Sequence, residues 1–149
     1  VYLEEAMMQA GVIADRPRVD ELIYLFGIFR AARVPADIGM QRNEMTVDQA
    51  VKYMRDRTPF LDEDVARVDA EIYLRRPPGY GIGYTVGYLQ MRKLLADRRW
   101  QLGEKFDLRQ FHDDLLSRGR LPMSLLRWEI TGLDDEVRQL WNWQPIPAE

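Results

Sequence analysis

The sequence predicts an all-α fold, an array of about seven helices. Apolar residues recur at spacings of three and four along most of the chain, as they do on one face of a helix. Helix-capping residues precede several of these stretches. No stretch alternates apolar and polar residues as a half-buried strand would. With 149 residues, of which 46% are apolar, the chain is long enough to bury a core.

The first two predicted helices lie in residues 1–10 and 19–40. Gly11 is a typical stop for the first. The second begins with an apolar stripe whose face then passes through Arg30, Arg33 and Asp37. Because buried charges need partners, Arg33 and Asp37 at i, i+4 form a candidate ion pair. The alternative is that the two arginines bind an anion.

The next two helices begin at capping residues. Thr46 and Gln49 form a capping box. Asp62 is the candidate N-cap of the following helix. Val65, Val68 and Ile72 are expected to face the interior from that helix, because they recur at helical spacing.

A glycine- and tyrosine-rich stretch, residues 77–88, leads into the fifth helix. Pro77 or Pro78 could occupy the first turn of that helix. Gly83 and Gly87 would share one face at i, i+4, where another backbone could approach closely. The neighbouring tyrosines then have two interpretations, as packing residues of a buried central helix or as a site that includes a catalytic phenol.

The C-terminal part continues in helices. Residues 107–110 form a second capping box, and the helix that follows carries His112 on its apolar face. His112 could be a hydrogen-bonded core residue or a catalytic one. A short helix after Pro122 and another near Asp134 are expected, followed by an extended tail over residues 143–147.

Composition excludes several classes of function. The net charge of -3 gives no basic surface for nucleic acid. No apolar run is long enough for a membrane span. There is no cysteine, and the single histidine is His112. Since a catalytic zinc needs about three protein ligands, usually with histidines among them, we predict no metal site within this chain. The compartment stays open, cytoplasmic or exported.

Four segments resemble, in order, the C-terminal half of a bacterial family catalogued as domain of unknown function 885. Residues 78–87, PGYGIGYTVG, are similar to the family's PGQALSYKIG. Residues 30–40 are similar to RAxRLVVDTGLH, and residues 45–54 to WSREQAIDYM. Residues 102–123 are similar to LGxxFDLREFHDAVLSNGxLPL. The chain departs from these patterns at Val34 and Pro35, at Met40 and at Tyr80.

The family looks like gluzincin-type zinc peptidases. The resemblance implies that residues 1–128 are the C-terminal helical portion of a peptidase-like domain, with residues 129–149 as an extension. The HExxH histidines would precede Val1, as would a glutamate ligand, unless Glu4 is that ligand. Zinc is therefore expected in the full-length protein, with no cofactor in this part alone.

The resemblance also suggests roles for individual residues. Tyr84 would donate a hydrogen bond to the oxyanion, with His112 as a second donor. Arg30, Arg33 and Tyr80 would bind a peptide-like substrate. The chain would then form one wall of a cleft and be inactive alone, or it could dimerise through exposed apolar surface. The alternative is a non-catalytic helical module that binds other proteins.

Overall fold

The structure, a computed structural model, describes residues 1–144 and shows no strand in that range. The all-α prediction is confirmed, with eight α-helices in the described part of the chain instead of about seven. The helices are α1 (Tyr2–Gln9), α2 (Val19–Gln41), α3 (Val47–Arg57), α4 (Glu63–Arg75), α5 (Tyr80–Leu102), α6 (Leu108–Ser117), α7 (Met123–Thr131) and α8 (Asp135–Trp141). A 3₁₀ turn, Gly103–Lys105, follows α5. Most of the predicted extended tail, residues 145–147, lies outside the described residues.

The chain divides into two compact units, Val1–Tyr88 and Leu89–Glu149. The boundary falls within α5. The predicted division after residue 128 stays a prediction. Within residues 1–144, no helix combines the length and the apolar character that a membrane crossing requires.

The core of the first unit lies among α2, α3 and α4. Four alanines in it have no exposed surface: Ala36, Ala50, Ala66 and Ala70. Larger side chains fill the space around them, including Phe29, Met54 and Tyr73. Small residues on facing helices let the backbones approach closely, so side chains beside the alanines become buried.

The inward face of α4 differs in part from the expected one. Ile72 packs against the core as predicted, but Val65 and Val68 are 42% and 57% exposed. The fully buried residues of α4 are Ala66, Ala70 and Tyr73. Both sets recur at helical spacing, so periodicity alone could not choose between them. The alanine face is the buried one because it allows the neighbouring helices to pack closely, and it carries Tyr73 into the core.

The capping box predicted for α3 is confirmed, and at α6 Asp107 is the N-cap with one of the two hydrogen bonds of a capping box. The Gln49 backbone N–H donates to the Thr46 hydroxyl at 3.2 Å, and the Gln49 side chain accepts from the Thr46 N–H at 2.8 Å. At α6, Asp107 accepts from the Gln110 N–H at 2.6 Å. Both contacts satisfy N–H groups that a helix leaves unpaired in its first turn.

The second unit has its own core, formed by Leu94, Phe111, Leu126 and Ile130. Beside it, the buried Arg127 pairs with Asp97 at 2.7 Å and with Asp135 at 2.5 Å. Since Asp97 lies on α5 and Asp135 on α8, this arginine of α7 links three helices of the unit.

Candidate functional site

The fifth helix begins later than its prolines suggested. Pro77 and Pro78 precede the helix, which starts at Tyr80. Gly79, between Pro78 and the start of the helix, has a φ of +88°. Few residues other than glycine adopt this left-handed conformation. Gly79 therefore sets the direction in which α5 leaves the preceding turn.

The close approach on α5 was predicted at Gly83 and Gly87, and it lies at Gly81 instead. A Cβ atom added at Gly83 or Gly87 would have no heavy atom within 4 Å. At Gly81 it would lie 3.1 Å from the Asp37 Cβ and Oδ2 atoms, and 3.3 Å from the Tyr73 ring. Gly81 is thus the residue at which α5 packs tightly against α2 and α4.

Asp37 on α2 bonds to the start of α5. Its side chain has no exposed surface, and Oδ2 accepts the Gly81 backbone N–H at 2.8 Å. The predicted ion pair between Asp37 and Arg33 is wrong, because Arg33 pairs with Asp69 of α4. A carboxylate at the N-terminal end of a helix is favoured by the unpaired N–H groups and by the helix dipole. Asp37 therefore acts on α5 from a neighbouring helix.

Arg33 lies between a carboxylate and two aromatic rings. Its Nη2 atom is 2.6 Å from Asp69 Oδ2, and each side chain is 15% exposed. The guanidinium carbon is 4.3 Å from the centroid of the Phe29 ring and 5.3 Å from that of the Tyr84 ring. Burial raises the pKa of Asp69, while the positive charge of Arg33 acts in the opposite direction. These contacts hold Arg33 against the phenol that was predicted to be catalytic.

Tyr80 and Tyr84 form a pair on α5. Their hydroxyl oxygens are 3.3 Å apart in an exposed hydrogen bond, and their rings meet edge to face at 5.8 Å. The hydrogen bond with Tyr80, together with partial burial, raises the pKa of Tyr84. The Tyr84 phenol is therefore protonated at neutral pH. It can donate a hydrogen bond at a position that solvent reaches.

Tyr73 lies beneath this pair and was not among the predicted site residues. It is 1% exposed, and its ring centroid is 6.4 Å from that of Tyr80. Burial raises the pKa of its phenol, and the negative charge of Asp69 adds to the effect. The spacing of Ala66, Ala70 and Tyr73 on α4 was the sequence signal that could have indicated its position.

Arg30 lies on α2 one turn before Arg33 and contacts α1. Its guanidinium donates to both Glu4 oxygens, at 2.7 and 2.8 Å. These hydrogen bonds lower the pKa of Glu4. On the same helix, Glu5 accepts a hydrogen bond from the Tyr88 hydroxyl. The polar side of α1 is thereby tied to both α2 and α5.

Within residues 1–144, no three histidine, aspartate or glutamate side chains are grouped so that they could hold a metal ion. Glu4, the one residue considered as a zinc ligand, has both carboxylate oxygens engaged by Arg30. Zinc in the full-length protein stays a prediction.

The structure brings together three of the predicted site residues, Tyr84, Tyr80 and Arg33. Arg30 lies in the same unit and contacts Glu4. His112 belongs to the second unit, on α6, where it is half-buried with its ring centroid 5.6 Å from that of Phe111.

A surface groove of about 650 Å³ runs between α3 and α4. Its charged side chains pair with one another, Lys52 with Asp56 at 2.7 Å and Arg55 with Glu63 at 2.5 Å. Arg67 completes the pattern by pairing with Asp48 at 3.0 Å. The groove is therefore lined by neutralised charge.

The fold and the site define a class of protein. It is an all-α protein in which polar side chains of α2 and α4, namely Arg33, Asp37 and Asp69, converge on the first turns of α5. A sequence model of the family described as bacterial protein of unknown function (DUF885) matches residues 1–130. The chain belongs to this family. No curated protein and no solved structure matches it.

Proposed function

We propose that this chain is the C-terminal helical part of a zinc-dependent peptidase, where it forms one wall of the substrate cleft and is not active alone. The observation that carries the proposal is the Tyr84 phenol, which is protonated, held by contacts with Tyr80 and Arg33, and placed where solvent reaches it. The resemblance of residues 78–87 to the family pattern that contains this tyrosine adds to it.

The role proposed for Tyr84 is to donate a hydrogen bond to the oxygen that becomes negative when a peptide carbonyl is attacked. A donor fixed in advance stabilises that charge without rearranging as the reaction proceeds. The edge-to-face contact with Tyr80 and the guanidinium of Arg33 restrict the Tyr84 ring. Zinc would polarise the carbonyl and activate water. Its ligands would come from a part of the full-length protein outside this chain.

The remaining site residues are proposed to bind substrate. Tyr80 would contact the peptide next to Tyr84, while Arg30 and Arg33 would bind a substrate carboxylate. Each arginine already pairs with a carboxylate of this chain, so a substrate would have to share or displace Glu4 or Asp69. His112 as a second donor stays a prediction.

The test is Tyr84→Phe in the full-length protein, assayed for peptide hydrolysis. Removing one oxyanion donor costs about 3 kcal/mol, so kcat should fall by about 100-fold while KM changes little. Tyr53→Phe is the matched control, because Tyr53 lies on α3, outside the proposed site, and loses the same hydroxyl. A Tyr84→Phe rate within twofold of the parent would remove Tyr84 from the mechanism.

The alternative, a non-catalytic interaction module complete in itself, predicts a monomer without an exposed apolar face. In the structure Leu22 and Phe26 on one side of α2, and Tyr24 and Ile28 on the opposite side, are each 46% or more exposed. Exposed apolar side chains in such number favour packing against another surface. We propose that these side chains of α2 pack against either the rest of the full-length protein or a second copy of the chain in a homodimer. Sedimentation of this chain alone and of the full-length protein would separate the two.

A further inference from the structure

We infer that Asp37 is a positioning residue, which fixes the Tyr84 phenol through the first turn of α5. The catalytic consequence of this inference depends on the proposed function, whereas the positioning itself does not. Asp37 and Tyr84 are joined through one hydrogen bond and one turn of helix, from the Asp37 carboxylate to the Gly81 N–H and on to Tyr84.

The burial of Asp37 is the first step of the argument. A carboxylate with no exposed surface loses its hydration, and hydrogen bonds must compensate for that loss. Oδ2 has the Gly81 N–H at 2.8 Å, and no described residue donates a hydrogen bond to the buried Oδ1 atom. An apolar side chain at this position would cost less to bury. We therefore take the role of the carboxylate to be the positioning of α5, the helix to which it bonds.

The second step is the fit between α2 and α5 at Gly81. Any side chain there would meet Asp37 at 3.1 Å and the Tyr73 ring at 3.3 Å. The hydrogen bond from the Gly81 N–H to Asp37 therefore requires glycine at position 81, because a larger residue would push the N–H away from the carboxylate. Together the hydrogen bond and the glycine set the distance between the two helices at this point.

The third step connects this contact to the phenol. Gly81 lies three residues before Tyr84 on α5, within one turn. Arg33 lies one turn before Asp37 on α2, and its guanidinium is 5.3 Å from the centroid of the Tyr84 ring. Helix α2 therefore holds Tyr84 at two points, through the backbone by Asp37 and through the ring by Arg33. Loss of the first contact should let the first turn of α5 move and disturb the second.

The experiment places 3-fluorotyrosine at position 84 of the full-length protein and records its ¹⁹F resonance in Asp37→Ala and Asp37→Asn. Alanine removes the acceptor, so the resonance should shift or broaden. Asparagine keeps an oxygen that can accept the Gly81 N–H, so the resonance should stay near that of the parent. In the unlabelled variants, alanine should lower kcat at least tenfold with KM within twofold, and asparagine should restore most of the rate.

Gly81→Ala provides a second variant in case Asp37→Ala does not fold. Its added methyl group pushes against Asp37, so the resonance should move as well. Gly27→Ala is the control, because a Cβ at Gly27 of α2 would have no heavy atom within 4 Å. An unchanged resonance in a folded Asp37→Ala or Gly81→Ala variant would overturn the inference. A resonance that moves with no loss of rate would support the positioning and overturn the catalytic role of Tyr84.

Discussion

The ion pair between Arg33 and Asp69 should contribute measurably to the stability of the protein. Each side chain is 15% exposed, and the two charged atoms are 2.6 Å apart. Fully exposed pairs contribute little, whereas removing one partner of a fully buried pair costs about 3–5 kcal/mol. For this intermediate burial we expect Asp69→Ala to lower the free energy of unfolding by about 2 kcal/mol, because it leaves the guanidinium of Arg33 without its carboxylate.

A double-mutant cycle isolates the interaction from other effects of the substitution. Urea unfolding at pH 7, followed by circular dichroism, would compare Asp69→Ala, Arg33→Met and the double variant. The double variant should be more stable than the sum of the two single losses implies, since it leaves neither charge alone. Lys52 and Asp56 provide the control cycle, because their charged atoms are 2.7 Å apart, close to the 2.6 Å of the first pair, whereas their side chains are 73% and 56% exposed. Equal coupling in the two cycles would refute the reasoning from burial.

Three further predictions concern other parts of the chain. Gly83→Ala should stabilise the protein by about 1 kcal/mol in urea unfolding, whereas Gly81→Ala should not, because only Gly83 has room for a methyl group. Hydrogen bonds from Arg30 lower the pKa of Glu4 below its usual 4.5. The stability that this ion pair contributes is therefore present above pH 4.5 and is lost as the pH falls through the lowered pKa. The free energy of unfolding of a Glu4→Gln variant, measured from pH 7 to 3, should not show that loss. Arg127→Ala should lower Tm more than Arg138→Ala, because Arg127 is buried with two aspartate partners and Arg138 is 70% exposed.

Helix positions could be predicted from the sequence because their signals are local. The capping box at Thr46 and Gln49 involves residues three apart, and both of its hydrogen bonds are present. The ion-pair partner of Arg33 was harder to predict, because a sequence indicates only partners that are close along the chain. The sequence indicated Asp37, four residues from Arg33, whereas the observed partner is Asp69 on another helix. The choice depends on how α2 and α4 pack, which no local pattern contains.

The glycines of α5 show the same limit. Gly81, Gly83 and Gly87 have similar neighbours in the sequence, and spacing favoured the last two as the close-packed pair. Only Gly81 is close to another helix. The difference arises because Asp37 and Tyr73 lie against the first turn of α5, and their positions are set by two other helices.

The residues around the start of α5, namely Arg33, Asp37, Tyr73, Tyr80 and Tyr84, are here called the Tyr84 cluster. Their buried polar atoms indicate that the cluster has a role beyond stability. Among residues 1–144, the buried polar atoms without a hydrogen-bond partner include Arg33 Nε, Asp37 Oδ1 and the Tyr73 hydroxyl. Each such atom costs free energy, and apolar residues of similar volume would avoid that cost. These three residues lie around the start of α5, where Tyr80 is 38% exposed and Tyr84 is half-buried. Because natural sequences break packing rules mainly where function requires it, this concentration of cost favours the Tyr84 cluster as the functional part of the first unit.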